Sequence, residues 1–435
     1  MVGFAGNSAF WLALAFLMSA QAYGELMTVQ AAVLLVVSGL TFRTHDLFFN
    51  LLTQQARTPD QVYGITRRSE LASAMLASAI VMVGAGAILL PHGQLVPFAI
   101  TAGYAVLAAW GANQGAAIAR LRQASRGDII ARTDVVASVL WGLAILAAIF
   151  LLRVHPLLPL LLGAAPPFAR SCLLARSARR FAPDDGTKSH FTNQERRNVA
   201  RFLLGAQLTN FLKNGAVSIE TVILAAFAPP PLVAMYRVAR GVLGIAVAAL
   251  NVAYQRVYPV LARARSKAEF RAAVASLERR SLLICLVTYP LSAGTALAYA
   301  WLKPGVAILE LELLTLATFV ASLPAALQQG AFAILSLRGQ HRSANLAYIV
   351  WFAVLGAGSS VLIWVPRIEV FMAALILAGL ARFGYLRRCA HAAPGPIDPP
   401  AQPAAPEPPD PAATKGAFLP VSPSAATNSR SAPDD

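Results

Sequence analysis

Apolar runs of roughly twenty residues alternate with short polar gaps along most of the chain, and the basic residues crowd into every second gap. A hydrocarbon core about 30 Å thick takes about 20 helical residues. The pattern therefore predicts twelve membrane-spanning helices, at roughly 2–21, 27–48, 70–90, 95–118, 130–152, 155–175, 200–227, 231–257, 280–301, 308–336, 344–365 and 368–386. The even-numbered gaps and the C-terminal tail hold 30 of the 36 lysines and arginines, whereas the odd gaps hold only Arg153, Lys303 and Arg367. Short basic loops stay on the cytoplasmic side. The fold class expected is thus an all-α membrane protein with both termini cytoplasmic, and the even number of spans, which puts both ends on one side, agrees.

The longest basic gap, about 176–200, carries the turn-forming Phe181-Ala182-Pro183-Asp184-Asp185-Gly186. It divides the chain into an N-terminal six-helix bundle (1–176), a linker (177–199) and a C-terminal six-helix bundle (200–390). Two such halves are a common transporter plan, with the substrate between them. The eighth gap, Ala262 to Arg280, is rich in helix formers, with Phe270, Val274 and Leu277 at helical spacing. It is expected to be a basic amphipathic helix on the inner leaflet, the alternative being a helical extension of spans eight and nine. After about His391 the chain is rich in Pro and Ala with few bulky apolar groups, and 391–435 is expected to be disordered.

Composition sharpens this. The chain is 57% hydrophobic and 13% charged, where a soluble protein carries about a quarter charged residues. The net charge of +16 is sorted by gap, so it points to anionic headgroups on the inner leaflet and not to nucleic acid. Cys172, Cys285 and Cys389 lie far apart and the six histidines lack ligand spacing, so neither a disulfide framework nor a metal site is expected. No phosphate-binding Gly-Lys-Ser/Thr loop is present, and no enzyme motif stands in a loop. The first span lacks a basic leader and reads as a retained helix.

Span seven carries the most unusual chemistry. Gln207, Asn210, Lys213, Asn214, Ser218 and Thr221 recur at helical spacing, with Glu220 close by. A polar stripe facing lipid is costly, so this face should line a cavity or pack inside the bundle. Lys213, with Asn210 and Asn214, is the candidate for an anionic substrate group, and Glu220 for a coupling ion or proton. The alternative is a buried polar seam in which the charges neutralise each other. Span eight opens with Tyr236-Arg237-Val238-Ala239-Arg240. Arg237 and Arg240 are candidates for bidentate phosphate binding, or else snorkel to the outer headgroups. Asn113 and Gln114 are modest polar intrusions late in span four, whereas Pro290 in span nine and Pro324 with Gln328, Gln329 and Gly330 in span ten mark interruptions of the type that line cavities or serve as hinges.

Three stretches carry a family likeness: Ala20-Gln21-Ala22-Tyr23-Gly24-Glu25-Leu26, with a Tyr-Gly turn between spans one and two; Ser218-Ile219-Glu220-Thr221-Val222-Ile223-Leu224, leading into Met235-Tyr236-Arg237-Val238-Ala239-Arg240; and Val257-Tyr258-Pro259-Val260-Leu261-Ala262-Arg263, at the exit of span eight. With twelve spans and a central basic loop, the chain resembles the polysaccharide and lipid-linked oligosaccharide exporters (O-antigen type) of the multidrug/oligosaccharidyl-lipid/polysaccharide superfamily. The resemblance implies a flippase of the bacterial inner membrane, moving undecaprenyl-pyrophosphate-linked glycan by alternating access for surface polysaccharide synthesis. It implies membrane lipids, a polysaccharide polymerase and glycosyltransferases as partners, and no cofactor. A cation-coupled drug or small-solute antiporter of the same superfamily is the first alternative. One acid, Glu220, against three bases, Lys213, Arg237 and Arg240, favours an anionic cargo over an organic cation. A glycan polymerase or ligase, or a non-transporting membrane scaffold, is the second alternative; every outer gap is short, which leaves little room for catalytic loops.

Overall fold

The computed structural model describes residues 2–42, 44–54, 58–181, 197, 199, 207–208, 211–212, 215–263, 267–337, 341–365 and 367–392. Most of the expected linker and the whole tail beyond 392 lie outside the described residues. All regular structure among the described residues is helical. In chain order the helices are α1 (Val2–Leu17), α2 (Ala20–Leu40), α3 (Thr44–Gln54), α4 (Pro59–Leu89), α5 (Leu95–Ala112), α6 (Gly115–Gln123), α7 (Gly127–Leu151) and α8 (Pro159–Arg179) in the first half. The second half contributes α9 (Ala216–Phe227), α10 (Pro230–Arg263), α11 (Lys267–Leu302), α12 (Ile308–Leu327), α13 (Gln329–Leu337), α14 (His341–Ser360) and α15 (Ile368–Ala392).

Eight helical runs among the described residues are long and apolar enough to cross a membrane, and Gly6–Leu17 and Ala216–Phe227 are shorter apolar helices. Joined by the more polar α8 and α10, they account for the twelve crossings expected, and the chain is a multi-pass membrane protein. Lipid-facing positions are apolar and exposed: Met75, Ile80 and Val83 on α4, Val139, Leu143 and Leu146 on α7, and Val287 and Leu291 on α11. Trp301 and Trp364 are 81% and 85% exposed, close to the ends of α11 and α14 where the chain turns back. Indole rings favour that interfacial position.

The first half packs through α4 on α5, α5 on α8, α7 on α8, and α1 on α7. The second packs through α10 on α11, α11 on α12, α12 on α15, and α14 on α15. The halves meet where α2 packs on α9 and α10, and α1 packs on α10. That seam is tight at one end. A Cβ built on Gly24 in α2 would stand 1.8 Å from the Pro230 carbonyl oxygen. Nearby, the Lys303 ammonium donates to the Phe16 carbonyl at 2.7 Å, and the Phe16 and Tyr299 rings meet edge to face.

Several boundaries differ from the sequence expectation. The second span begins at Ala20, not 27, because Ser19 caps it by accepting from the Ala22 amide. Tyr23-Gly24 therefore lies inside α2, and the turn is Met18–Ser19. The span also ends at Leu40, and the amphipathic α3 follows as a separate helix. The basic segment before span nine is not an independent helix on the inner leaflet. It forms the first turns of the 36-residue α11, where Leu277 is buried and packs with Ala253, Val257, Leu261 and Ala333 of α10 and α13. The apolar stripe was real, but protein covers it and not lipid. Pro290 sits inside the same unbroken helix, so the interruption expected there does not occur. The break expected at Gln328 does occur, splitting span ten into α12–α13, and span four is broken as well, at Asn113–Gln114, into α5–α6.

Candidate functional site

The junction between the halves holds a buried charge cluster. α9 stops at Phe227 because Pro229-Pro230-Pro231 follows, and Pro230 and Pro231 then start α10, where their fixed φ suits a first helical turn. The hairpin brings Glu220, about 12 Å before the turn, beside Tyr236 and Arg240, up to about 15 Å beyond it. All three are then near the middle of a core about 30 Å thick. Tyr236 and Arg240 are four residues apart and share a face of α10. The Arg240 Nη2 donates to both Glu220 oxygens at 2.7 and 2.6 Å, and its Nε donates to Oε2 at 3.0 Å. The Tyr236 hydroxyl donates to the same carboxylate and accepts from the Arg240 Nε at 3.3 Å. Glu220 is 1% exposed and Tyr236 fully buried. Burying two charges costs several kcal/mol each, on the order of what their attraction returns, so the pair persists because its hydrogen bonds are filled.

Arg237 points the other way. Its Nη2 donates to Gln30 Oε1 of α2 at 2.9 Å, and its Nη1 to Thr221 Oγ1 at 3.4 Å. These partners are neutral, and no carboxylate pairs with Arg237 among the described residues. Its contact with Gln30 crosses from one half to the other.

Gln30 also lines a cavity of about 450 Å³ inside the first half, whose wall includes Trp11, Tyr104, Gln114, Trp141, Asp134 and Arg170. Arg170 Nε donates to Asp134 Oδ1 at 2.7 Å, and its Nη1 donates to Gln114 Oε1. Trp11 packs closely against Gly163, where a Cβ would stand 2.4 Å from the indole, and its Nε1 donates to Asn7 Oδ1 at 2.8 Å. Next to the cavity, the fully buried Glu70 accepts from the Ala116 amide at 2.7 Å and from Arg67 Nη1 at 2.7 Å, and also from the Thr44 hydroxyl. It thereby caps α6 and holds the break in span four, an anion at a helix N-terminus being favourable.

Of the residues singled out from the sequence, Glu220, Arg240, Arg237, Ser218 and Thr221 come together at the junction. Neither arginine snorkels to the headgroups in this arrangement, since both engage buried partners. Lys213, Asn210 and Asn214 lie outside the described residues. Gln207 is buried and donates to the Ser38 and Gly39 carbonyls of α2, a helix-packing role. Glu70, Asp134 and Arg170 were not singled out, so the count of one acid against three bases was incomplete. Three buried or half-buried acids, Glu70, Asp134 and Glu220, each pair with an arginine, Arg67, Arg170 and Arg240. The signal was in the sequence: Glu70 and Asp134 stand at the mouths of apolar runs where a lipid-facing carboxylate is costly.

No protein-family model matches the chain, and no curated protein matches it. Solved structures do. An inward-facing multidrug resistance MATE family transporter of the MOP superfamily superposes with a TM-score of 0.60 at 12% identity, covering 90% of this chain and 94% of that one. A MOP superfamily transporter from Pyrococcus furiosus Vc1, described as having a binding pocket of reverse polarity that suggests a different function, gives 0.55 at 15% identity over 90% and 94%. The Vibrio cholerae MATE transporter VcmN gives 0.53 at 16% identity over 90% and 94%. At these identities the likeness shows the fold: the chain has the twelve-helix, two-bundle architecture of MATE transporters, which are transporters and not enzymes.

Proposed function

We propose that the chain is an alternating-access transporter whose cargo carries an anionic headgroup on a lipid, the lipid-linked oligosaccharide of a bacterial inner membrane being the chemical class that fits best. One observation carries the choice of cargo. At the junction of the halves the buried acid, Glu220, is already neutralised by Arg240, and Arg237 beside it has neutral partners. The balance at mid-membrane is therefore positive. Moving a bare diphosphate through hydrocarbon is prohibitive, and a cationic, water-accessible seam lowers that cost. In this reading Arg237, Arg240 and Lys213, with Asn210 and Asn214, receive the diphosphate, while the acyl tail stays in the bilayer. Coupling through Glu220 requires that a cation or proton displace Arg240 from it during the cycle.

A second reading is a cation-coupled drug or small-solute antiporter, and the structural neighbours favour it: two of the solved structures are of a multidrug resistance MATE family transporter, one facing inward and one outward. A free intramembrane carboxylate would serve that chemistry, and Glu220 becomes one only when Arg240 leaves.

Proteoliposomes separate the two. The purified protein is expected to move a fluorescent lipid-linked oligosaccharide between leaflets, with Lys213→Ala and Arg237→Ala slowing it at least tenfold at normal abundance. Transport of ethidium driven by an ion gradient, with no glycan movement, would replace the first reading by the second.

A further inference from the structure

A second cavity, of about 120 Å³, lies within the C-terminal half between α9, α10, α11, α12, α14 and α15. Glu220, Arg240, Ser322, Gln328, Cys285 and Arg382 reach its wall. Arg382 sits 14 residues into α15, about 21 Å along the helix. That depth is still inside a core about 30 Å thick. Its guanidinium stacks on the Tyr348 ring at 3.7 Å. No carboxylate pairs with it among the described residues, and its buried Nε has no hydrogen-bond partner there. The buried Gln328 Oε1 is likewise unpartnered.

The charge on this wall does not close. Two guanidinium groups face the void, and one carboxylate faces it and is spent on Arg240. An arginine cannot shed its proton to escape burial. A ring face returns about 2 kcal/mol to a desolvated cation. That is less than the several kcal/mol an unpaired ion costs when buried. The remaining compensation is a mobile anion, and the void has room for one: a single water needs about 10–15 Å³ of this kind of space. The guanidinium fork and the amide NH2 of Gln328 are donors of the type that hold halide or oxyanion, while the Ser322 hydroxyl, donated to the Phe319 carbonyl, only shapes the wall.

We propose that this cavity is a binding site for a small inorganic anion, chloride or phosphate, held by Arg382 and by the outer edge of the Arg240 guanidinium. The site shares Arg240 and Glu220 with the charge cluster described above, and Arg382 distinguishes it from the Arg237 side of the seam; it stands whether the cargo is a lipid-linked glycan or a drug. The occupied site fixes α15 to α10 through a shared counter-ion.

The test uses the full chain in nanodiscs of zwitterionic lipid. Melting is followed as sodium gluconate, whose six-carbon anion is too bulky for the void, is replaced at constant ionic strength by chloride or by phosphate. A saturable rise of a few degrees is expected, and whichever anion gives it at the lower concentration is the occupant. Arg382→Gln should abolish the rise. Ser322→Leu, which fills the void and keeps both arginines, should abolish it too, and covers the case in which Arg382→Gln does not fold. Arg367→Gln, at an exposed position between α14 and α15, should leave the rise intact. Identical melting in all three salts, or an undiminished rise in Ser322→Leu, overturns the proposal.

Discussion

Replacing Glu220 or Arg240 by methionine removes one half of a buried ion pair and leaves the other half stranded. Removing one partner of such a pair costs about 3–5 kcal/mol. Each single substitution should therefore destabilise the protein by about that much. Replacing both at once removes the stranded charge, and apolar replacement of a whole buried pair is neutral or even favourable by about 1–4 kcal/mol. One liability survives in the double variant. The Tyr236 hydroxyl, fully buried and bonded among the described residues only to Glu220 and Arg240, would have no partner left there. An orphaned buried donor costs about 1–3 kcal/mol. Glu220→Met with Arg240→Met should thus be less stable than wild type by no more than about 3 kcal/mol, against a sum of about 6–10 kcal/mol for the singles. Adding Tyr236→Phe should recover most of the remainder. Unfolding of the purified protein by SDS in mixed micelles measures all five forms on one scale. A double variant as unstable as the sum of the singles would refute the account, because it would mean that the two side chains stabilise the fold independently. The same double variant separates fold from transport: it should insert and remain folded, yet fail to move an anionic amphiphile.

Gly24→Ala pushes a methyl into the Pro230 carbonyl and should cost about 1–3 kcal/mol, read as lower melting and as greater labelling of cysteines placed along the α2–α10 seam. Glu70→Gln withdraws the charge that neutralises Arg67 and caps α6, and should destabilise by about 3–5 kcal/mol; a melting temperature equal to wild type would remove the cap from the argument. Glu278, in the extension of α11 that precedes its apolar stretch, has its pKa raised by burial, against the opposing pull of Arg387 and His391. A raised carboxyl favours the folded state only while protonated, and that contribution fades as pH climbs through the elevated value. Glu278→Gln should accordingly raise the melting temperature at pH 8 and leave it unchanged at pH 4, and a gain at both would point to packing instead.

The span pattern was legible because hydrocarbon thickness leaves a twenty-residue period that no packing detail can hide. Charge asymmetry was legible for the same reason. Partnering was not. The sequence shows Phe270, Val274 and Leu277 on one face, but it does not say whether lipid or α10 lies opposite, and protein won. It places Glu220 near Arg240 only if a hairpin folds them together, since they are 20 residues apart; the three prolines between them were the readable clue. Glu70 escaped notice because its partners, Thr44 and the Ala116 amide, come from elements 26 and 46 residues away. Helix ends failed where a single hydroxyl decided them, as Ser19 does for α2.

The indole of Trp11 rests on a bare α-carbon at Gly163. One methyl there would tip the ring into the neighbouring chamber, whose capacity is thus set by the missing side chain. Lineages that traded that hydrogen for a methyl would acquire a narrower vestibule without touching a polar group. On the proposed reading of the transporter, the room available and the charge that meets a headgroup are then set at separate places, the first at position 163 and the second at Arg237 and its neighbours.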